Sequence, residues 1–209
     1  MIRILIADDH AVVRKGLKQI IIDEFPSATI IEVSDVESLI MQVIKENWDV
    51  IICDISMPGR SGVDALEQVK QIKPEIPVLM MSMHHEDQYA LRVLKAGASG
   101  YLNKSSVHDE LIKAIHTVRI GRKYITPSIA EKLAGALNAP TGKHLHETLS
   151  NREFEILKMI ASGKSISDIA VQLSLSATTV STYRSRILEK MSMKSNADIT
   201  RYALENGLI

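Results

Sequence analysis

Cysteine is nearly absent. Cys53 is the only one in 209 residues, which excludes an intramolecular disulfide and a thiolate zinc cluster and fits a reducing cytoplasm. Proline (six) and glycine (ten) are sparse, while hydrophobic residues make up 45% and charged residues 24% of the chain. That is ordinary globular composition, without the bias of an extensively disordered chain. Long apolar runs are missing too. The stretch 1–7 holds about five apolar residues broken by Arg3, too short for a signal peptide or a membrane span, so neither secretion nor a membrane partner is expected. Net charge is also missing, because 25 Lys and Arg offset 25 Asp and Glu. The overall balance argues against a strongly basic nucleic-acid binder, but the halves differ. Residues 1–120 carry 13 basic and 17 acidic side chains, and residues 121–209 carry 12 and 8, giving a front at −4 and a rear at +4.

Within the front 120 residues, short apolar runs rich in β-branched residues alternate with amphipathic stretches. Buried parallel strands show this unbroken apolar character. Strands are expected at 2–7, 29–33, 50–53, 78–81 and 100–102. Between them Val13, Leu17, Ile20 and Ile21 recur at helical spacing, as do Leu39, Val43 and Ile44, then Leu66, Val69 and Ile72, then Leu91 and Leu94. Val107, Leu111, Ile112, Ile115 and Val118 mark a last helix. Five alternations of this kind predict an α/β doubly wound five-stranded parallel sheet, whose ligands sit at the carboxyl ends of its strands. Residues 121–148, punctuated by Gly121, Pro127, Gly135, Pro140 and Gly142, read as a linker with a short helix near 128–137. Residues 149–209 carry no strand pattern; four helices are expected near 151–161, 165–173, 178–191 and 196–204, forming a small all-α domain.

This layout brings Asp8, Asp9, Asp54, Ser82 and Lys104 to one rim of the sheet. Three neighbouring carboxylates repel one another, and a hard divalent cation with oxygen ligands relieves them; a small octahedral site of this kind suits Mg²⁺. A carboxylate in such a setting can attack a phosphoryl group, with the metal and the Lys104 ammonium offsetting charge on the transferred oxygens. Any one of these aspartates alone reads as a helix or turn cap, so the set carries the argument. Met57 and Pro58 read as shaping the loop after the third strand and Gly62 as permitting its turn into the next helix. Cys53 reads as a buried strand residue, and His144 and His146 read as solvated.

The residues Asp8 and Asp9, the run from Asp54 through Ser56, Met57, Pro58, Gly59 and Gly62, then Ser82, and the run from Gly97 through Tyr101 to Lys104 resemble the flavodoxin-like receiver domains of two-component response regulators. The resemblance spans residues 2–120. It implies that Asp54 accepts phosphate from a phosphohistidine on a sensor histidine kinase and that Asp8, Asp9, Asp54 and the Ser56 carbonyl hold Mg²⁺. Ser82 would move to hydrogen-bond the acyl phosphate, Lys104 would pair with it, and Tyr101 would turn inward behind Ser82. Ser56 and His84 occupy positions that influence hydrolysis of the phosphate. Met83 stands where the family has a small residue and reads either as packing or as narrowing access. A hydrolase resembling the haloacid dehalogenase group would carry a second aspartate at position 56, where Ser56 stands.

In the rear, Ile166, Ile169, Ala170 and Leu173 form one apolar face, a short turn at Leu175 and Ser176 follows, and a second amphipathic helix begins near Thr178 with Ser176 as its cap. Two helices joined this closely suit DNA reading. The segments Leu149 to Glu153, Ala161 to Ala170 and Leu173 to Tyr183 resemble the LuxR-type helix-turn-helix, and with the receiver they point to the NarL/FixJ subfamily. The resemblance implies that the helix 178–191 enters the major groove of double-stranded DNA. Ser181, Thr182 and Ser185 would then face bases, Thr179, Tyr183, Arg184 and Arg186 would reach backbone or bases, and Lys164, Lys190 and Lys194 would contact phosphate. Ser181, Tyr183 and Asn196 replace a frequent lysine, histidine and arginine. Residues 149–209 hold eight basic and six acidic side chains, so a monomer should bind weakly and in a salt-sensitive manner. The expected whole is a cytoplasmic, phosphorylation-activated transcription regulator, not an enzyme, forming a homodimer when phosphorylated. A DNA-binding protein whose receiver only dimerises is the competing reading.

Overall fold

A computed structural model of the chain describes residues 1–57, 60–83, 86–138 and 145–209, without the side chains of 86–88, 132 and 136–138. Pro58, Gly59, His84, Pro140, Gly142 and His144 lie outside the described residues. The chain divides into two compact units, Met1–Asn138 and Ala139–Ile209. No described helix is long and apolar enough to cross a membrane.

The first unit is built on strands β1 (Arg3–Ala7), β2 (Thr29–Val33), β3 (Val50–Asp54), β4 (Val78–Ser82) and β5 (Gly100–Asn103), ordered β2-β1-β3-β4-β5 with every pairing parallel. Helices α1 (Ala11–Glu24), α2 (Val36–Lys45), α3 (Gly62–Ile72), α4 (Glu86–Lys95) and α5 (Val107–Arg119) follow the strands in turn. β3 and β4 are buried at all positions, which is why their sequences run apolar without alternating. Ile4, Ile6, Ile52, Leu79, Met81 and Leu102 pack with Leu17 and Ile21 of α1 and Leu111 and Ile115 of α5. Asp35 caps α2 by accepting from the Ser38 amide at 2.8 Å, and Ser61 caps α3 by accepting from the Val63 amide. Ser106 occupies the cap position of α5, yet its hydroxyl bonds back to the Asn103 carbonyl instead of the helix.

Three strands run one residue past their expected ends, because ladder pairing continues through Asp54↔Met81 and Ser82↔Asn103. The site residues Asp54 and Ser82 are thus rungs of the sheet rather than loop residues. Residues 121–138, read as linker, belong to the first unit. The Tyr124 amide donates to the Ser99 carbonyl at 2.8 Å beside β5, and helix α6 (Pro127–Asn138) buries Ile129 completely and contacts α4.

The second unit has a 3-10 turn (Leu145–Thr148) and helices α7 (Asn151–Ala161), α8 (Ile166–Gln172), α9 (Ala177–Lys190) and α10 (Asn196–Glu205). α7 packs on α9 and α10, and α8 on α9. Each start is capped by a serine: Ser150, Ser165 and Ser195 close capping boxes with Glu153, Asp168 and Asp198, and Ser176 accepts from the Thr179 amide. His146 is half-buried, its Nδ1 lying 2.9 Å from the Tyr202 hydroxyl and its ring against Phe154, so it is not a solvated linker residue.

The carboxyl ends of α7, α8, α9 and α10 share one pattern. All four close with the paired bonds of a Schellman motif, in which the residue after the cap adopts a left-handed conformation. Met193 N donates to Leu188 O and Ser192 N to Glu189 O after α9; Leu175 N and Ser174 N do the same to Ala170 O and Val171 O after α8. Gly163 and Gly207 fill the left-handed position after α7 and α10, but Ser174 (φ 53°) and Ser192 (φ 54°) fill it after α8 and α9. A side chain there carries a steric cost that glycine avoids. Ser174→Gly and Ser192→Gly should each stabilise the second unit by about 0.5–1 kcal/mol. Urea unfolding of the full chain measures this, and an unchanged or lowered midpoint would show that the strain is relieved elsewhere.

Candidate metal centre and nucleic-acid interface

The strand order places β1 beside β3, the switch point of the doubly wound sheet, and the crevice there is where such folds bind ligands. Asp8 follows β1, Asp54 ends β3, Ser82 ends β4 and Lys104 follows β5. Asp8 is 0% and Asp54 1% exposed. The Lys104 Nζ lies 2.6 Å from Asp8 Oδ2 and 2.9 Å from Asp54 Oδ2. Burial pushes the Asp54 carboxyl up to about 6 against the pull of Lys104, with Asp8 adding to the rise. For the Lys104 ammonium, burial works downward, but Asp54 and Asp8 outweigh it and hold the pKa above its ordinary value. The same burial drives the Cys53 thiol far upward, leaving it protonated and inert.

The donor set fits a hard divalent cation. Asp8, Asp9, Asp54 and His10 each offer a ligand atom, and these lie within 4.8 Å of one another. Apart from ion-pair contacts to Lys104 and His10, Asp8 Oδ2, Asp9 Oδ1 and Asp54 Oδ2 accept no hydrogen bond. Buried carboxylate oxygens left in this state favour a cation.

Around this cluster, the Ser56 amide donates to the Asp54 carboxylate while its side chain is exposed. Ser82 is buried one strand away and Tyr101 is fully buried on β5, facing inward. Met83 is 72% exposed, so the packing reading of this side chain is corrected. Two neighbours escaped sequence reasoning. The His10 Nδ1 lies 2.7 Å from Asp9 Oδ1, and Arg14 Nη1 donates to the Asp8 carbonyl at 2.7 Å while its Nε stands 3.7 Å from Glu32. Adjacency to Asp9 was the only available signal for His10. Nothing in the spacing marked Arg14, because α1 had to be built before its side chain could reach back.

In the second unit, α9 presents Ser181, Thr182, Ser185 and Arg186 as exposed side chains, with Tyr183 and Arg184 half-buried. The hydroxyls of Thr182 and Ser185 donate to the Thr178 and Ser181 carbonyls one turn back. With their protons committed, they offer lone pairs, the complement of the amino groups of adenine and cytosine in a major groove. Thr179 pairs with the cap, its Oγ1 lying 2.8 Å from Ser176 Oγ. Lys194 is exposed. Two lysines expected at phosphates are engaged within the domain: Lys190 Nζ bonds Glu153 Oε2 at 2.7 Å and Lys164 bonds Gln172. The Lys190 contact has a clear cause, since Glu153 is a buried carboxylate whose pKa, despite the upward push of burial, is held low by Lys190 and Ser150.

Two family models match the chain, the response regulator receiver domain over residues 4–116 and the luxR family of bacterial regulatory proteins over residues 147–203. The chain belongs to the NarL/FixJ subfamily of response regulators. It is a transcription regulator of a two-component system, not an enzyme. Among curated relatives, the response regulator GacA of Pseudomonas protegens is 34% identical across 100% of this chain and 98% of its own. The response regulator UvrY of Escherichia coli K12 is 32% identical across 100% and 96%. RcsB of Salmonella enterica serovar Typhimurium, solved bound to promoter rprA with the phosphomimetic BeF3⁻, superposes with a TM-score of 0.64 over 97% of this chain and 98% of that one. At 24% identity that likeness speaks to the fold of this response regulator.

Proposed function

We propose that this response regulator takes a phosphoryl group onto Asp54 from the phosphohistidine of a sensor histidine kinase and that this controls how α9 engages double-stranded DNA. The observation that carries the reading is the bridging ammonium: Lys104 holds two buried carboxylates, Asp8 and Asp54, at 2.6 and 2.9 Å. One Asp54 oxygen attacks phosphorus as the bond to the kinase histidine nitrogen breaks, and the imidazole departs with that electron pair. Lys104 moves onto the transferred oxygens, the Ser56 amide supports the Asp54 carboxylate, and Ser82 supplies a hydroxyl from the adjacent strand. A Mg²⁺ ion held by Asp8, Asp9, Asp54 and the Ser56 carbonyl would neutralise charge on the phosphoryl oxygens. Ser56 and exposed Met83 flank the path by which water reaches the acyl phosphate and set its lifetime. Tyr101, buried on β5 beside the strand that carries Ser82, couples the site to the surface of β5, and phosphorylation favours a homodimer, doubling the phosphate contacts of a thinly basic DNA domain. A cytoplasmic location accords with these partners.

Incubating the full chain with a small acyl phosphate donor and Mg²⁺ tests this. The expected product carries one hydroxylamine-labile phosphate per chain, and Asp54→Asn should carry none. Persisting label in Asp54→Asn, or no label in the unaltered protein under any donor, would overturn the assignment.

A further inference from the structure

Arg184 is the cation on α9 whose guanidinium is tied to a different helix. Its Nε donates to Asn196 Oδ1 at 2.6 Å. Asn196 is the first residue of α10, and the helix start it sits on is rigid: the Ser195 amide and hydroxyl both donate to Asp198 Oδ2, and the Asp198 amide returns a bond to Ser195 Oγ. With Nε bound to Asn196, the terminal amino groups of the planar fork remain as donors, and such a fork matches phosphate geometry. Position matters as well. Ser181 and Ser185 define the outward face of α9, whereas half-buried Arg184 lies on the flank turned toward α10. When a helix lies in a groove, its outward face meets base edges and its flanks meet the phosphate walls.

We propose that Arg184 is a phosphate clamp for duplex DNA and that Asn196 is its positioning residue, fixing the guanidinium before DNA arrives. An arginine free in solvent loses much rotamer freedom on binding. Here that loss falls on folding of the domain, so the contact forms with a pre-set fork. This inference rests on the reading of α9 as the DNA-facing helix and adds what one of its side chains recognises and what holds it.

The test uses the full chain after phosphodonor treatment and a short duplex of arbitrary sequence, with affinity measured by fluorescence anisotropy across a salt series. Arg184→Ala should weaken binding roughly five- to tenfold at low salt and reduce the slope of log affinity against log salt by about one. Asn196→Ala should weaken it roughly threefold, leaving that slope and the melting temperature unchanged, because the charge still reaches the phosphate but must be ordered first. Asn196→Asp places a carboxylate on the guanidinium and should lower the slope as Arg184→Ala does. In an Arg184→Ala background, Asn196→Ala should have no further effect. Wild-type affinity and slope in Arg184→Ala, or additive losses in the double variant, would overturn the proposal. Failure of the unaltered protein to bind any duplex would instead overturn the DNA-facing reading of α9.

Discussion

Gly62→Ala is expected to leave the receiver unable to hold its phosphoacceptor loop and to abolish labelling at Asp54. A Cβ at position 62 would lie 1.8 Å from the Asp54 carbonyl oxygen, 2.8 Å from its carbon and 3.0 Å from the Ile55 Cα. These are backbone atoms in a place that cannot give. Asp54 is the last rung of β3, paired with Met81, and the Ile55 amide donates to the Met81 carbonyl at 2.9 Å. The strain must then fall on α3, whose start is fixed by the Ser61 cap and by buried Val63, Ala65 and Leu66. Forcing that helix away from the sheet opens the core beneath it, a loss of roughly 3–5 kcal/mol and a large share of a domain's margin. Ser61→Ala is the control: it removes the cap but adds no atom, and should cost about 1 kcal/mol with labelling retained. Thermal melting and phosphate incorporation read both variants. A Gly62→Ala chain that melts and labels as the unaltered protein does would refute the close-approach argument.

Gly62 also shows where sequence reasoning stops. Its place after the third strand suggested a residue that permits a turn, but the structure requires it for space against one particular carbonyl. Reading the sheet needed only local information, since β3 and β4 are buried on both faces and announce themselves as unbroken apolar runs. The aspartates followed from the sheet, because ligands gather at the carboxyl ends of parallel strands and Asp8 and Asp54 stand at two of them. Contacts between positions distant in the chain left no comparable trace. Lys190 meets Glu153 across 37 positions and Arg184 meets Asn196 across 12. No periodicity links such pairs, so Lys190 read as a free cation and Asn196 only as a missing one. The packing of Tyr124 and α6 left no trace for the same reason: glycine and proline at 121 and 127 mark breaks in local structure and the short helix between them and Gly142 was legible, but whether the segment then packs on β5 depends on a surface built from the rest of the receiver.

Lys104→Met is expected to cut the rate of Asp54 phosphorylation roughly 100-fold and to change how the receiver responds to pH. The ammonium stands within 3 Å of oxygens on both Asp8 and Asp54, and at an effective dielectric near 20 each attraction at that distance is about 5 kcal/mol before desolvation is counted. Methionine fills similar volume without the charge, so the two buried carboxylates face each other without their counter-ion. Burial already pushes the Asp54 carboxyl up to about 6, and losing Lys104 moves it further up. A folded-state pKa above the unfolded value means that protonation favours the fold: this stabilisation is fully present below the unfolded pKa near 4 and is lost as pH rises through the folded pKa. The variant should therefore melt close to the unaltered protein in acid and fall increasingly below it through neutrality, while Asp54→Asn, which has no charge to bury, should melt above the unaltered protein at neutral pH. Mg²⁺ should restore much of the lost melting temperature of Lys104→Met, because a divalent cation supplies the missing charge. It should not restore the labelling rate, which depends on an ammonium meeting the transferred oxygens. A variant that labels within twofold of the unaltered rate would show that Lys104 braces the resting pocket and takes no part in phosphoryl transfer.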